Sequence, residues 1–198
     1  MFRNLTFQCQ TGQCLVVTGP NGSGKTTLLK ILVGLLTPTT GKVEWGHDKN
    51  RVAPRYFHRW IGAVLPDAEP YGELTALENI RLAADLKDVN WKEGVETAGR
   101  FGLEPFLQQP LREFSSGMKM RLRLAIALMG NPKAIILDEP FAPMDASGRQ
   151  MIQQVIEEQK KQGLIIFATN DPRDLASATD ILELVPKSLG NRPKRPSI

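Results

Sequence analysis

The sequence is poor in the features that would place it in a membrane, outside the cell or on a nucleic acid. None of its apolar stretches approaches the ~18–20 residues needed to span a bilayer. The opening MFRNLTFQCQ lacks the apolar centre of a signal peptide. The 198 residues contain two cysteines, Cys9 and Cys14. A two-residue hairpin turn at Thr11-Gly12 would set them opposite each other on neighbouring strands, where a disulfide is geometrically conceivable. Nothing else points to an oxidising compartment, so reduced, buried thiols are the expectation. The net charge is +4, yet the last thirteen residues alone carry Lys187, Arg192, Lys194 and Arg195 and no acid. Without those four, 21 basic residues face 21 acidic ones. A neutral body offers no basic face to nucleic acid, and the basic tail reads as a solvated terminus. A cytoplasmic protein is expected, and any membrane role requires another chain.

What is present is a regular alternation of apolar runs and helical stretches. Leu15–Thr18, Trp60–Leu65, Ala134–Leu137, Leu164–Thr169 and Ile181–Val185 read as strands. They are apolar without alternation, the pattern of parallel strands covered on both faces. Thr27–Leu36 reads as a helix, closed by Pro38 and Gly41. Thr75–Leu86, Trp91–Phe101 and Met118–Met129 carry helical spacing with no strand between them. The expected architecture is α/β. It has a core with a mainly parallel sheet (1–70 and 131–185), an N-terminal antiparallel β portion, a helical subdomain inserted at about 71–130, and the basic tail 186–198.

The strongest chemical signal is Gly19-Pro20-Asn21-Gly22-Ser23-Gly24-Lys25-Thr26-Thr27. It fits G-x-x-x-x-G-K-[ST] and lies between a strand and a helix, the context that makes the motif a phosphate-binding loop. Glycines let backbone amides approach phosphate oxygens, and the following helix turns its positive end to the same anion. Lys25 neutralises the β- and γ-phosphates, and the Thr26 hydroxyl is a ligand for Mg²⁺. A second anchor for that ion comes at the end of an apolar run, Ala134-Ile-Ile-Leu-Asp138-Glu139-Pro140. Asp138 arrives at the carboxyl edge of the sheet. Glu139, one residue on, points the other way along a strand and suits the base that orients and deprotonates the attacking water.

Phe114-Ser115-Ser116-Gly117-Met118, ahead of that aspartate, resembles the L-S-G-G-Q signature of the ATP-binding-cassette ATPases. With the two phosphate-site motifs in order, the resemblance spans nearly the whole chain. Independently of it, Ser115 stands where a helix cap belongs. The resemblance implies an ATP- and Mg²⁺-dependent cassette that works as a head-to-tail dimer, either with an identical copy or with a paralogous chain. Ser115, Ser116 and Gly117 would read the ATP held by the other cassette, and Ala142-Pro-Met-Asp145 would form the dimer-contact loop. It also implies integral membrane transporter subunits as partners, at the inner face of the cell membrane. Tyr71 and Leu74 are candidate contacts for them. Asp67 stands where the family has a γ-phosphate-sensing glutamine, and is a candidate metal ligand. Asn170 stands where the family has a histidine; it can hydrogen-bond phosphate but carries no proton or charge, so slower turnover is expected. No adenine-stacking aromatic precedes the first strand, Phe2 being the only nearby substitute. These departures resemble the short cassettes of export systems, haem and cytochrome-c-biogenesis exporters included. Two other readings stay open: an ATP-gated dimerisation module with little hydrolysis, and a soluble non-transport cassette protein. A GTPase is disfavoured, because no Asn-Lys-x-Asp base-reading motif occurs.

Overall fold

The structure, a computed structural model, describes residues 2, 4–47 and 50–185. Its core is a five-stranded, wholly parallel sheet built from β1 (Cys14–Thr18), β4 (Ile61–Val64), β5 (Ala134–Asp138), β6 (Leu164–Ala168) and β7 (Asp180–Glu183). They lie in the order β4-β5-β6-β1-β7. Every residue of β5 and β6 is buried, as their unbroken apolar runs require. Alternate residues serve opposite faces. Val16, Ile135, Leu137, Ile165 and Phe167 join one core cluster, and Val17, Ala134, Ile136, Leu164 and Ile166 join the other. α1 (Lys25–Leu32) places Leu28, Leu29 and Leu32 in the second cluster. α6 (Ala146–Lys160) places Ile152, Val155 and Ile156 in the first.

The inserted segment is helical, as expected: α3 (Ala76–Lys87), α4 (Trp91–Arg100) and α5 (Ser116–Leu128). Their starts are written in the sequence. Thr75 and Glu78 make a reciprocal capping box on α3, Asn90 caps α4, and Ser115 caps α5 by accepting from the Met118 amide. Asn79 is buried and fixes the loop before α3. It accepts from the Tyr71 amide at 2.8 Å and donates to the Tyr71 and Thr75 carbonyls at 3.0 Å each. A short helix, α2 (Phe57–Trp60), leads into β4.

Two expectations, the end of α1 and the hairpin at Thr11-Gly12, differ from what is found. α1 ends at Leu32 rather than Leu36, because Gly34 takes φ +82° and the Leu35 amide turns back to the Lys30 carbonyl. The expected antiparallel portion is present as a separate pair, β2 (Trp45–His47) with β3 (Asn50–Val52). Residues 4–10 alternate between exposed and half-buried but are in no ladder. Cys9 therefore has no strand partner in Cys14; β1 is flanked by β6 and β7 instead, and both thiols are free. Burial pushes the Cys14 thiol up to about 12, so it behaves as an inert core residue. The basic tail 186–198 lies outside the described residues. Among the described residues no helix is long and apolar enough to cross a membrane.

The helical part is joined to the sheet where α5 passes over β4. A Cβ on Gly62 would lie 2.2 Å from the Ala127 carbonyl oxygen, a backbone atom that cannot step aside. Gly62→Ala is expected to cost roughly 1–3 kcal/mol by overpacking. The check is a lower denaturation midpoint with an unchanged slope of free energy against denaturant.

Candidate active site

β1 ends at Thr18 and hands the chain to a loop that only glycine permits. Gly19, Gly22 and Gly24 all have positive φ. At Gly19 (φ +142°) a Cβ would also fall 2.4 Å from the Leu184 carbonyl oxygen. α1 starts directly from Gly24 with no side-chain cap, whereas α3, α4, α5 and α6 all carry one. Its first amides are open to an outside acceptor. The Ser23 hydroxyl, buried in the same loop, has no hydrogen-bond partner. This is a cradle that fits a phosphate chain.

Lys25 is buried and folded over the loop. Its amine donates to the Gly19 carbonyl at 2.8 Å and to Asn170 Oδ1 at 2.5 Å, and lies 4.0 Å from Glu139 Oε1. Asn170 in turn donates through Nδ2 to Asn21 Oδ1 at 2.7 Å. Thr26, the next residue along α1, donates its hydroxyl to Asp138 Oδ2 at 2.6 Å. Two oxygen ligands of the kind Mg²⁺ takes are thus already side by side, one from the helix and one from the end of β5.

Glu139 has φ +48°, a left-handed conformation that costs a non-glycine residue on the order of 1–3 kcal/mol. Its amide donates to the Ala168 carbonyl at 3.0 Å, which ties the turn to β6. Burial raises the Glu139 carboxyl above the ordinary value of 4.5, against the opposing pull of the Lys25 ammonium. A carboxylate shifted upward is a stronger base toward water.

The predicted site residues fall into three groups. Gly19 to Thr27, Asp138, Glu139 and Asn170 come together around Lys25. Ser115, Ser116 and Gly117 lie apart from them at the start of α5. The space for a side chain on Gly117 abuts the Pro143 carbonyl of the loop 142–145, and no hydrogen bond joins them to the phosphate loop. In that loop Asp145 caps α6, accepting from the Gly148 amide at 2.7 Å. Asp67 stands alone. Its carboxylate pairs with Lys30, further along α1, rather than joining Thr26 and Asp138. Among the described residues no three carboxylate, histidine or cysteine side chains converge as a metal cage. Phe2 packs half-buried against the second core cluster.

Sequence reasoning did not find Arg149, Asp174 or Lys30. Each is a single charge whose partner is remote in the chain, and no motif marks it. Two shallow cavities flank Asn170. One of about 460 Å³ lies along Gly19, Asn21 and Leu175, and another of about 380 Å³ lies along Glu139, Arg149 and Asp174.

A doubly covered parallel sheet, a glycine loop feeding an uncapped helix, and a carboxylate pair at the end of the next strand but one define a P-loop nucleoside triphosphatase. The ABC transporter family matches residues 2–142, and the chain belongs to that family. It is 32% identical over 170 residues to the lantibiotic transport ATP-binding protein SrtF of Streptococcus pyogenes, spanning 86% of this chain and 73% of that one. It is 36% identical over 182 residues to the cytochrome c biogenesis ATP-binding export protein CcmA of Nitrosococcus oceani, spanning 90% and 82%. Among solved structures, an ATP-binding cassette in a dimeric post-hydrolysis state bound to ADP and Pi superimposes with a TM-score of 0.80. It is 26% identical and covers 92% of this chain and 85% of its own. The chain is an ATP-binding, ATP-hydrolysing subunit of an ABC transporter.

A raised Glu139 fixes the sign of the pH response. The group stays protonated to higher pH than an ordinary glutamate, and a protonated carboxyl cannot accept a proton from water. With Glu139 as the base for water, activity is expected to be lost on acidification earlier than an unshifted glutamate would allow. The acid limb of single-turnover hydrolysis is expected above pH 4.5, the ordinary value, and to be absent from whatever residual rate Glu139→Gln retains.

Proposed function

We propose that the chain is one of two cassettes in a head-to-tail dimer at the inner face of the cell membrane, hydrolysing MgATP to drive export through separate membrane subunits. The observation that carries the reading is the arrangement of Lys25, Thr26, Asp138 and Glu139 around one glycine loop. The loop amides and Lys25 bind the β- and γ-phosphates, with Lys25 exchanging Gly19 and Asn170 for phosphate oxygens. Thr26 and Asp138 would hold Mg²⁺, which when bound offsets charge on the phosphates. Glu139 orients the attacking water and takes its proton. Asn170 donates from its amide to the terminal phosphate. Ser115, exposed, and Gly117, half-buried beside the loop 142–145, meet the ATP of the second cassette. Export as the direction rests on the transport and export roles named for SrtF and CcmA.

Asp67 is paired with Lys30 and would have to leave that partner to reach the metal. Tyr71, 65% exposed, sits on a backbone held rigid by Asn79 and presents a ring to a membrane-subunit helix. Leu74 lies in the same loop.

Asn170 and Asp67 are weaker partners for a terminal phosphate than histidine and glutamine, which favours slow turnover. The rival, a module that closes on ATP without cleaving it, is separated by one experiment. In single-turnover hydrolysis with Mg²⁺, Glu139→Gln should lower the rate roughly 10²–10⁴-fold, the range general-base catalysis supplies, while ATP still binds. If phosphate release is unchanged in Glu139→Gln, the proposed chemistry is wrong.

A further inference from the structure

We propose that Arg149 and Asp174 are positioning residues that hold Asn170 in line with the terminal phosphate of ATP. The inference rests on Asn170 being a γ-phosphate contact.

Asp174 lies on the 3₁₀ turn Pro172–Ser177 and is 6% exposed. A buried carboxylate needs a cation or several donors, and it has both. The Thr169 hydroxyl donates to its Oδ2 at 2.5 Å, and the Arg149 guanidinium donates to its Oδ1. Thr169 is fully buried, and its Oγ1 also accepts from the Asp171 amide at 3.0 Å. Asn170 is thus strung between two anchored residues. Arg149 is itself fixed: its guanidinium stacks 5.1 Å over the Phe141 ring, and that ring packs edge-on against Phe167 of β6 at 5.7 Å. The surface ion pair of Asp171 with Arg173 closes the outer side of the turn.

This support matters because Asn170 is an amide. A cation attracts phosphate from many directions, but an amide N–H must point at its acceptor, and the bond weakens steeply off axis. A residue without charge needs a rigid backbone to act as a sensor. The support also has a second end. Arg149 lies in the first turn of α6, whose cap is Asp145 of the loop that abuts Gly117. The segment facing the second cassette and the turn carrying Asn170 are therefore braced through one ion pair.

The test compares affinity for a non-hydrolysable ATP analogue with affinity for ADP, both with Mg²⁺, by titration calorimetry on the full chain. Asn170→Ala is expected to lower the triphosphate affinity by roughly 10–100-fold, the size of one hydrogen bond to a charged group, and to leave ADP affinity unchanged. Arg149→Met and Asp174→Asn should do the same, and Arg149→Lys should retain most of the affinity. The double variant Arg149→Met/Asp174→Asn leaves no lone buried charge and should show the same selective loss. In an Asn170→Ala background Arg149→Met should add nothing further, which a general loosening of the fold would not produce. If Asn170→Ala leaves both affinities intact, the γ-phosphate role and this inference fall together. If Asn170→Ala is selective but the Arg149 and Asp174 variants are silent, or weaken ADP equally, the positioning role alone is overturned.

Discussion

The buried ammonium of Lys25 is the constraint around which the rest of the site is arranged. A charge removed from water must be matched by nearby acceptors, and here it has the Gly19 carbonyl, the Asn170 amide oxygen and the more distant Glu139 carboxylate. Those groups come from three separate places: the end of β1, the turn after β6 and the turn after β5. A parallel sheet brings all three to one edge because every strand points the same way. Lys25 thereby ties the three segments together at that edge.

This arrangement couples binding to chemistry. Lys25 is the main influence keeping Glu139 ionised against its burial. In the proposed mechanism the ammonium turns toward phosphate, which withdraws that support and leaves Glu139 more basic. The left-handed backbone at Glu139, held by Ala168, breaks the line of β5 directly after Asp138. Asp138 keeps company with Thr26.

Much of this was legible in the chain. The phosphate loop needs positive φ at fixed positions, so glycine spacing reveals it. The helices of the inserted part showed themselves through their apolar spacing and the cap at Ser115, and the structure adds the caps Thr75 and Asn90. The buried strands were visible as unbroken apolar runs. What could not be read were contacts between single residues distant in sequence. Asp67 was assigned to the metal from its position, but nothing in the sequence showed that Lys30 would claim its carboxylate. Arg149 and Asp174 are 25 residues apart, and each alone looks like a solvated charge. The hairpin imagined at Thr11-Gly12 failed because strand pairing is decided by the whole sheet. β6 and β7 occupy both edges of β1 and leave residues 4–10 no ladder to join.

The central claim is that the Gly19–Thr26 loop grips a triphosphate through Lys25. Its most direct test is a calorimetric titration of MgATP into the wild-type chain and into Lys25→Met, a substitution that keeps the aliphatic length and removes the charge. Saturable heat in the first and its loss in the second is the result this structure predicts. Equal binding in both, or none in either, would contradict it.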